Sequence, residues 1–164
     1  MGKDRLLFIK LKDKKNILFT IGSFYPLQKG GPDNSVYWLT KELSKNKNLE
    51  ITVLSFFEKK FSDIYSKHNF ISNGINKEDS LKIIFLKYFF IRVISLSFFK
   101  FLFYDLKNYD FVVINSFLLK SNWLIALFCS FFKVPFSLSA RGELERGALV
   151  TGKKYKIFFV KFIK

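Results

Sequence analysis

Residues 16–22 have the sequence NILFTIG and form a short, nearly continuous apolar run that stops at a glycine. A strand that is buried on both faces of a sheet has this pattern, because neither face needs polar side chains. The stretch therefore predicts a central β-strand over 16–21. A loop follows it, and a helix is expected over 34–45, with Asp33 or Asn34 as its N-terminal cap.

The same two patterns alternate along the rest of the chain. Further apolar runs predict strands over 49–56, 81–86, 110–114 and 135–139. Helical spacing predicts helices over 88–107, 118–132 and 153–164, and the polar residues 58–80 are expected to form an irregular loop. This alternation indicates an α/β fold, namely a Rossmann-like, mostly parallel sheet with helices on both faces.

Three unusual segments directly follow predicted strands. They are the Gly30-Gly31 pair after the first strand, Asn115-Ser116 after the fourth and the segment around Arg141 after the fifth. The carboxyl ends of parallel strands meet at one edge of a sheet, and ligands bind there. The sequence therefore predicts that segments far apart in the chain form one site at this edge.

The Gly30-Gly31 pair has two interpretations. Adjacent glycines before a helix let backbone N–H groups approach a phosphate, and the helix dipole adds positive potential. The loop contains neither G-x-G-x-x-G nor G-K-[ST], so it is not a dinucleotide fingerprint or a Walker loop. The alternative is a surface turn whose glycines adopt a positive φ, and spacing alone favours this second interpretation.

The segment after the fifth predicted strand holds Arg141, Glu143 and Arg146, two of them among the four arginines of the chain. An arginine grips a phosphate or a carboxylate through two parallel hydrogen bonds, which a lysine cannot do. Glu143 is then expected to hold Arg141 in place or to accept a hydrogen bond from a sugar hydroxyl. The alternative is a solvated Arg–Glu pair at the start of a helix, which contributes little.

Composition excludes several classes of protein. The 164 residues carry 28 Lys and Arg against 13 Asp and Glu, a net charge of +15, and 49% of them are hydrophobic. This hydrophobic content excludes a disordered tail. With a single cysteine, Cys129, and a single histidine, His68, the chain cannot form an internal disulfide or a zinc site built from these ligands. We expect a buried Cys129, a solvated His68 and a reducing, cytoplasmic location.

The positive charge favours anionic partners, such as a membrane surface or a phosphorylated substrate. A nucleic-acid groove mixes arginine with exposed aromatic residues, whereas the aromatic residues here lie within apolar runs, so nucleic acid is disfavoured. The excess of basic over acidic residues is greatest in segment 1–15 and in the acid-free segment after Glu145. Both suit the inner face of a cytoplasmic membrane.

Several of these segments together resemble the N-terminal half of family 4 glycosyltransferases. The matching segments are residues 23–26 (SFYP), 30–32 (GGP), 35–39 (SVYWL), 109–117 (YDFVVINSF) and 141–149 (RGELERGAL). The last of these is the most specific, although Ala140 stands where the family typically has proline. The resemblance covers roughly residues 16–164.

The resemblance implies a two-domain enzyme of the GT-B type. Its N-terminal domain mostly holds the acceptor, its C-terminal domain holds the nucleotide-sugar donor, and the reaction retains the anomeric configuration without a metal or another cofactor. Gly30 and Gly31 would contact the donor phosphate, Arg141 and Glu143 would act in the cleft, and Asn115-Ser116 would contact the acceptor. Many relatives have a histidine after the fourth strand, where this chain has Asn115-Ser116.

This resemblance leads to a division of the chain into 1–15 as a basic segment, 16–152 as an acceptor-side domain and 153–164 as the start of a basic helix. We expect the donor-binding domain to be missing and the chain to be inactive without it. The acceptor would be a polysaccharide or a lipid-linked glycan. The alternative function is a non-enzymatic basic module that binds a membrane surface or a separate partner domain.

Overall fold

The computed structural model describes residues 14–27, 29–87 and 95–143. Within these residues, six strands form one sheet in the order β3-β4-β2-β1-β5-β6. All neighbouring strands are parallel except the antiparallel pair β3–β4. The strands are β1 Lys15–Thr20, β2 Leu49–Phe57, β3 Ile75–Glu78, β4 Leu81–Lys87, β5 Phe111–Asn115 and β6 Phe136–Ser139.

The helices lie on both faces of the sheet. They are α1 Gly31–Ser44, α2 Ser62–Lys67, α3 Leu96–Lys100 and α4 Lys120–Phe132. A 3-10 turn, Lys59–Phe61, precedes α2, while α3 continues into a π turn, Phe101–Asp105, and a 3-10 turn, Leu106–Asn108. The Rossmann-like α/β fold predicted from the sequence is therefore confirmed.

Each central strand contributes to two separate cores. Leu18 of β1 packs with α3 and α4, in a cluster that includes Phe98 and Ile125. The next residue, Phe19, packs with α1 and α2 on the other face, in a cluster that includes Val36 and Tyr65. Because both faces of β1 are buried, its run of apolar residues has no polar alternation.

Two predictions about local structure were wrong. The predicted loop 58–80 contains α2 and β3, and β3 is held by antiparallel pairing with β4 through a turn at Asp79. Helix α1 begins at Gly31 rather than at 34, and Gly30 is its N-cap instead of Asp33 or Asn34. A proline in the first turn of α1 suits this start, since its missing N–H has no partner inside the helix.

The remaining expectations concern the second core and the ends of the chain. In the described part of the predicted helix 88–107, Phe98 and Phe101 are buried. Cys129 is also buried as predicted, and burial raises the pKa of its thiol to about 11. Residues 88–94, the basic segment 1–13, Arg146 and the predicted helix 153–164 lie outside the described residues.

Candidate functional site

The predicted convergence at the carboxyl edge of the sheet is present. The ends of β5 and β6 are adjacent there, and the N–H of Ser116 donates to the carbonyl of Ser139 at 2.9 Å. Strand β1 lies beside β5 in the sheet, and the loop that follows it leads into the N-terminus of α1. The segments that contain Gly30, Asn115 and Arg141 therefore meet at one edge.

Arg141 connects two of these segments through its side chain. Its Nε donates to Oδ1 of Asn115 at 2.9 Å, and its Nη1 donates to Oγ of Ser35 at 3.3 Å. Ser35 lies in the first turns of α1 and itself donates to the carbonyl of Pro32 at 3.0 Å. The guanidinium thus bridges the end of β5 and the beginning of α1.

Glu143 holds a different part of the site. Its carboxylate accepts hydrogen bonds from Oγ of Ser116 at 2.6 Å and from the N–H groups of Phe117 and Leu118 at 2.6 and 3.1 Å. In the part of the chain that the structure describes, Glu143 forms no ion pair with Arg141. These hydrogen bonds hold the connection between β5 and α4 rather than the Arg141 side chain. The alternative role of Glu143, a contact with a sugar hydroxyl, stays a prediction.

Two residues of the site have a strained backbone. Ser116 has φ 82° and Arg141 has φ 47°, both in the left-handed region that residues other than glycine rarely adopt. Such conformations cost on the order of 1–3 kcal/mol each, and they occur preferentially at functional sites, where surrounding contacts maintain them. The hydrogen bonds of Glu143 and Asn122 supply such contacts here.

Asn122 is a site residue that the sequence analysis missed. Its side chain is buried, and its Nδ2 donates to the carbonyls of Asn115 at 2.7 Å and Ser116 at 2.8 Å. Its Oδ1 accepts a hydrogen bond from Oγ1 of Thr20 at 3.0 Å. A signal was present in the sequence, because Ser121-Asn122 is a polar pair within a helix that is otherwise strongly apolar.

The glycine pair lies at the N-terminus of α1 without a positive φ. Gly30 is extended, with φ −164°, and Gly31 is helical, so the interpretation as a turn that needs positive φ is wrong. An added Cβ at Gly31 would meet nothing within 4 Å, and at Gly30 it would lie 3.7 Å from Cδ of Pro32. Neither the backbone nor the packing requires these glycines, and their absent side chains leave the helix N-terminus uncovered.

The surroundings of this helix end carry both charges. The first intrahelical bond joins the N–H of Asn34 to the carbonyl of Gly30, so the preceding N–H groups have no partner within the helix. Oδ2 of Asp33 accepts from the N–H of Lys29 at 3.2 Å, and burial raises the pKa of Asp33 above its ordinary value. The ammonium of Lys29 pairs with Glu58.

The structure also places the single histidine. Nδ1 of His68 lies 3.0 Å from the hydroxyl of Tyr25, whose ring stacks on Tyr37 with centroids 5.0 Å apart. His68 is exposed, as expected, but it belongs to this aromatic group rather than to the site around Arg141. Among the described residues, no group of three or more His, Cys, Asp or Glu side chains could hold a metal ion.

Comparisons with known proteins give a distant structural likeness. No family model and no curated protein sequence matches this chain. Among solved structures, the S. aureus MnaA–UDP co-structure is similar, with a TM-score of 0.42 and 17% sequence identity. The match covers 93% of this chain and 37% of that chain, so this chain spans little more than a third of the neighbour's length. The glycosyltransferase resemblance stays a prediction.

Proposed function

We propose that this chain is the N-terminal, acceptor-side domain of a retaining glycosyltransferase of the GT-B type. Such an enzyme transfers a sugar from a nucleotide-sugar donor to a polysaccharide or a lipid-linked glycan. One observation carries the proposal: the guanidinium of Arg141 bridges Asn115 and Ser35, next to a helix N-terminus that its glycines leave uncovered. A fixed cation and a helix N-terminus therefore share one edge of the sheet.

This arrangement suits the chemistry of sugar transfer. Negative charge develops on the leaving nucleotide diphosphate as its bond to the sugar breaks, and preorganised donors stabilise that charge. The N-terminus of α1 offers backbone N–H groups and a partial positive charge. Arg141 adds a guanidinium whose position is set by Asn115 and Ser35 before any substrate binds.

The two acceptor-side residues differ in solvent exposure. Asn115 is fully buried and accepts a hydrogen bond from Arg141, which makes it an orienting group for the guanidinium. Ser116 is partly exposed, and its hydroxyl donates to Glu143, so its oxygen lone pairs can accept from an acceptor hydroxyl. In an enzyme of the GT-B type, the donor pocket comes mostly from the second domain.

The test is the binding of UDP and of inorganic pyrophosphate, followed by NMR through the backbone amides and the arginine Nε–H groups. We expect saturable shifts at Gly30, Gly31 and the Nε–H of Arg141. Because an added Cβ at Gly31 meets open space, Gly31→Ala should keep the fold while obstructing a bound phosphate. Its affinity for either probe should fall by about tenfold or more, since the methyl group blocks the approach to the backbone.

The matched control is Gly22→Ala in the same loop. Its added Cβ would point at the side chain of Leu119, at an ordinary contact distance of 3.6 Å, rather than into open space. This variant should bind both probes as the unmodified chain does. Shifts confined to regions away from α1, or equal affinities for the Gly31→Ala variant and the unmodified chain, would overturn the proposed phosphate contact.

A further inference from the structure

A stripe of exposed apolar side chains runs along the outer side of α4. Trp123, Leu127 and Phe131 are 43%, 63% and 75% exposed, respectively. They are spaced four residues apart, which places them on one side of the helix. Single exposed apolar residues are common on proteins, but an aligned set of this size marks an interaction surface.

The stripe continues on both sides of the helix. On the side of α3, the half-exposed Phe103 contacts Phe128 of α4, with ring centroids 4.8 Å apart. On the side of β6, a groove of about 230 Å³ lies between the helix and the strand, and Phe136 and Leu138 line it together with Trp123. We name this region the α4 apolar surface, comprising Phe103, Trp123, Leu127, Phe131, Phe136 and Leu138.

Every charged residue in the range 111–142 is basic. No Asp or Glu occurs between Asp110 and Glu143, a range that holds all of β5, α4 and β6. The exposed Lys120 and Lys133 lie at the two ends of α4. An apolar stripe with lysines beside it is the pattern of a helix that lies at the interface of an anionic membrane.

We propose that the α4 apolar surface binds an anionic phospholipid bilayer, with α4 lying in the plane of the headgroups. The 13 residues of α4 span about 20 Å, less than the hydrocarbon thickness of a bilayer. No helix in the described ranges is long and apolar enough to cross a membrane. Because α4 is shorter than the hydrocarbon layer, the proposed binding places it at the membrane interface, and this binding is independent of the function proposed above.

Charge favours the bilayer over a second copy of the chain. If two copies met through this surface, the lysines of one would face the lysines of the other without an acidic residue of β5, α4 or β6 to pair with them. Anionic headgroups complement the same lysines, and each lysine near such a surface adds favourable energy. The indole N–H of Trp123 already donates to the carbonyl of Phe117 at 2.7 Å, so its ring can enter the acyl boundary without an unpaired polar group.

The first experiment measures sedimentation of the 164-residue protein with vesicles. Vesicles of phosphatidylglycerol and phosphatidylcholine in equal parts should bind the protein, while pure phosphatidylcholine should bind it about tenfold less. The double variant Leu127→Ser/Phe131→Ser should lose about tenfold in partitioning to the anionic vesicles, because it removes exposed apolar area. Ile75→Ser is the matched control, since Ile75 is 62% exposed on β3 at the opposite edge of the sheet.

The second experiment uses the two tryptophans of the chain, which lie on opposite faces of the sheet. In a Trp38→Phe variant, the remaining Trp123 should shift its emission to the blue and be quenched by brominated lipid when anionic vesicles are added. In a Trp123→Phe variant, Trp38 of α1 should show neither change. Circular dichroism confirms that each variant is folded.

The results of these experiments distinguish a bilayer from a second copy of the chain as the partner of the α4 apolar surface. Loss of binding in the Leu127→Ser/Phe131→Ser variant, with Ile75→Ser unaffected, supports the proposal. Binding that this double variant leaves unchanged would place membrane attachment elsewhere in the basic chain and overturn it. A dimer that the same variant converts to a monomer, without vesicle binding, would assign the surface to a second copy and also overturn it.

Discussion

At the scale of single residues, the site depends on one buried amide. Asn122 uses both ends of its side chain, accepting from Thr20 at the end of β1 and donating to the carbonyls of Asn115 and Ser116 at the end of β5. It therefore fixes the two neighbouring strand ends on which Arg141 and the acceptor side depend. A buried network with every member satisfied specifies a single arrangement, while a partly satisfied one is costly.

Replacement of Asn122 by leucine tests this role. The two side chains are similar in shape, but leucine removes the hydrogen bonds of Asn122 with the Thr20 hydroxyl and with the carbonyls of Asn115 and Ser116. We expect Asn122→Leu to lower the free energy of unfolding by about 2–4 kcal/mol in urea titrations. Ser130→Ala is the control on the exposed side of the same helix, with an expected change within about 0.5 kcal/mol. An Asn122→Leu protein as stable as the unmodified chain would contradict the assigned role.

Whether the sequence predicts a contact of this site depends on how far apart in the chain the two residues lie. Arg141 and Asn115 were placed at one edge because the ends of parallel strands meet there. The contact between Arg141 and Ser35 joins residues that are 106 positions apart, and no local pattern indicates which hydroxyl the guanidinium reaches. The contacts of Glu143 were not predictable for the same reason, because its partners are the Ser116 hydroxyl and two amides of a loop that only the fold defines.

At the scale of elements, the two long helices end with a lysine in different conformations. Lys133 after α4 has φ 58° and lies in the left-handed region, and the N–H of Val134 donates back to the carbonyl of Cys129 at 2.8 Å. Lys45 after α1 has φ −72° and continues the right-handed conformation. A left-handed C-terminal residue favours glycine, which has no Cβ to clash.

The same substitution should therefore have opposite effects at these two ends. Lys133→Gly should raise the free energy of unfolding by up to about 1 kcal/mol, because it relieves the left-handed backbone. Lys45→Gly should lower it by about 0.5–1 kcal/mol, because glycine loses more conformational freedom on folding. Urea titrations of the two variants compare them directly, and the idea fails if both change in the same direction.

The elements that the sequence analysis missed are those without a periodic pattern. Strand β3 has the sequence INKE, which contains one apolar residue, and it forms because a turn at Asp79 returns the chain along β4. Its buried Asn76 is held by side-chain hydrogen bonds with the backbone of Ile71 at 2.6 and 2.9 Å. Tertiary pairing of this kind outweighs local propensity, whereas β1 and β2 were recognisable from their apolar runs alone.

At the scale of the whole molecule, parallel pairing explains why the fold class was readable from sequence. Every parallel strand needs a crossover segment, and burial on both faces of the central strands gives the alternation of apolar runs and helical patterns. The net charge of +15 was more difficult to interpret, because a net charge does not indicate which surface of the protein carries it. The structure gives part of that charge a location, in the acid-free range that forms β5, α4 and β6.

A net charge of +15 should also make the stability of the folded chain depend on salt. Repulsion between like charges is stronger in the compact state than in the unfolded chain, and salt screens it. Salt also weakens surface ion pairs such as Lys82–Glu50 and Lys41–Glu78, but each of these contributes only about 0–1 kcal/mol. Repulsion should dominate because basic residues exceed acidic ones about twofold.

We therefore expect the free energy of unfolding to rise by about 1–2 kcal/mol between roughly 20 mM and 500 mM NaCl in urea titrations. NaCl and KCl should act alike if screening is the cause. Phosphate at the same ionic strength should stabilise the chain further if it occupies the N-terminus of α1, because a ligand that binds only the folded state raises its stability. The Gly31→Ala variant should lose this additional effect and retain the effect of NaCl. A stability that falls with NaCl would mean that the ion pairs outweigh the repulsion.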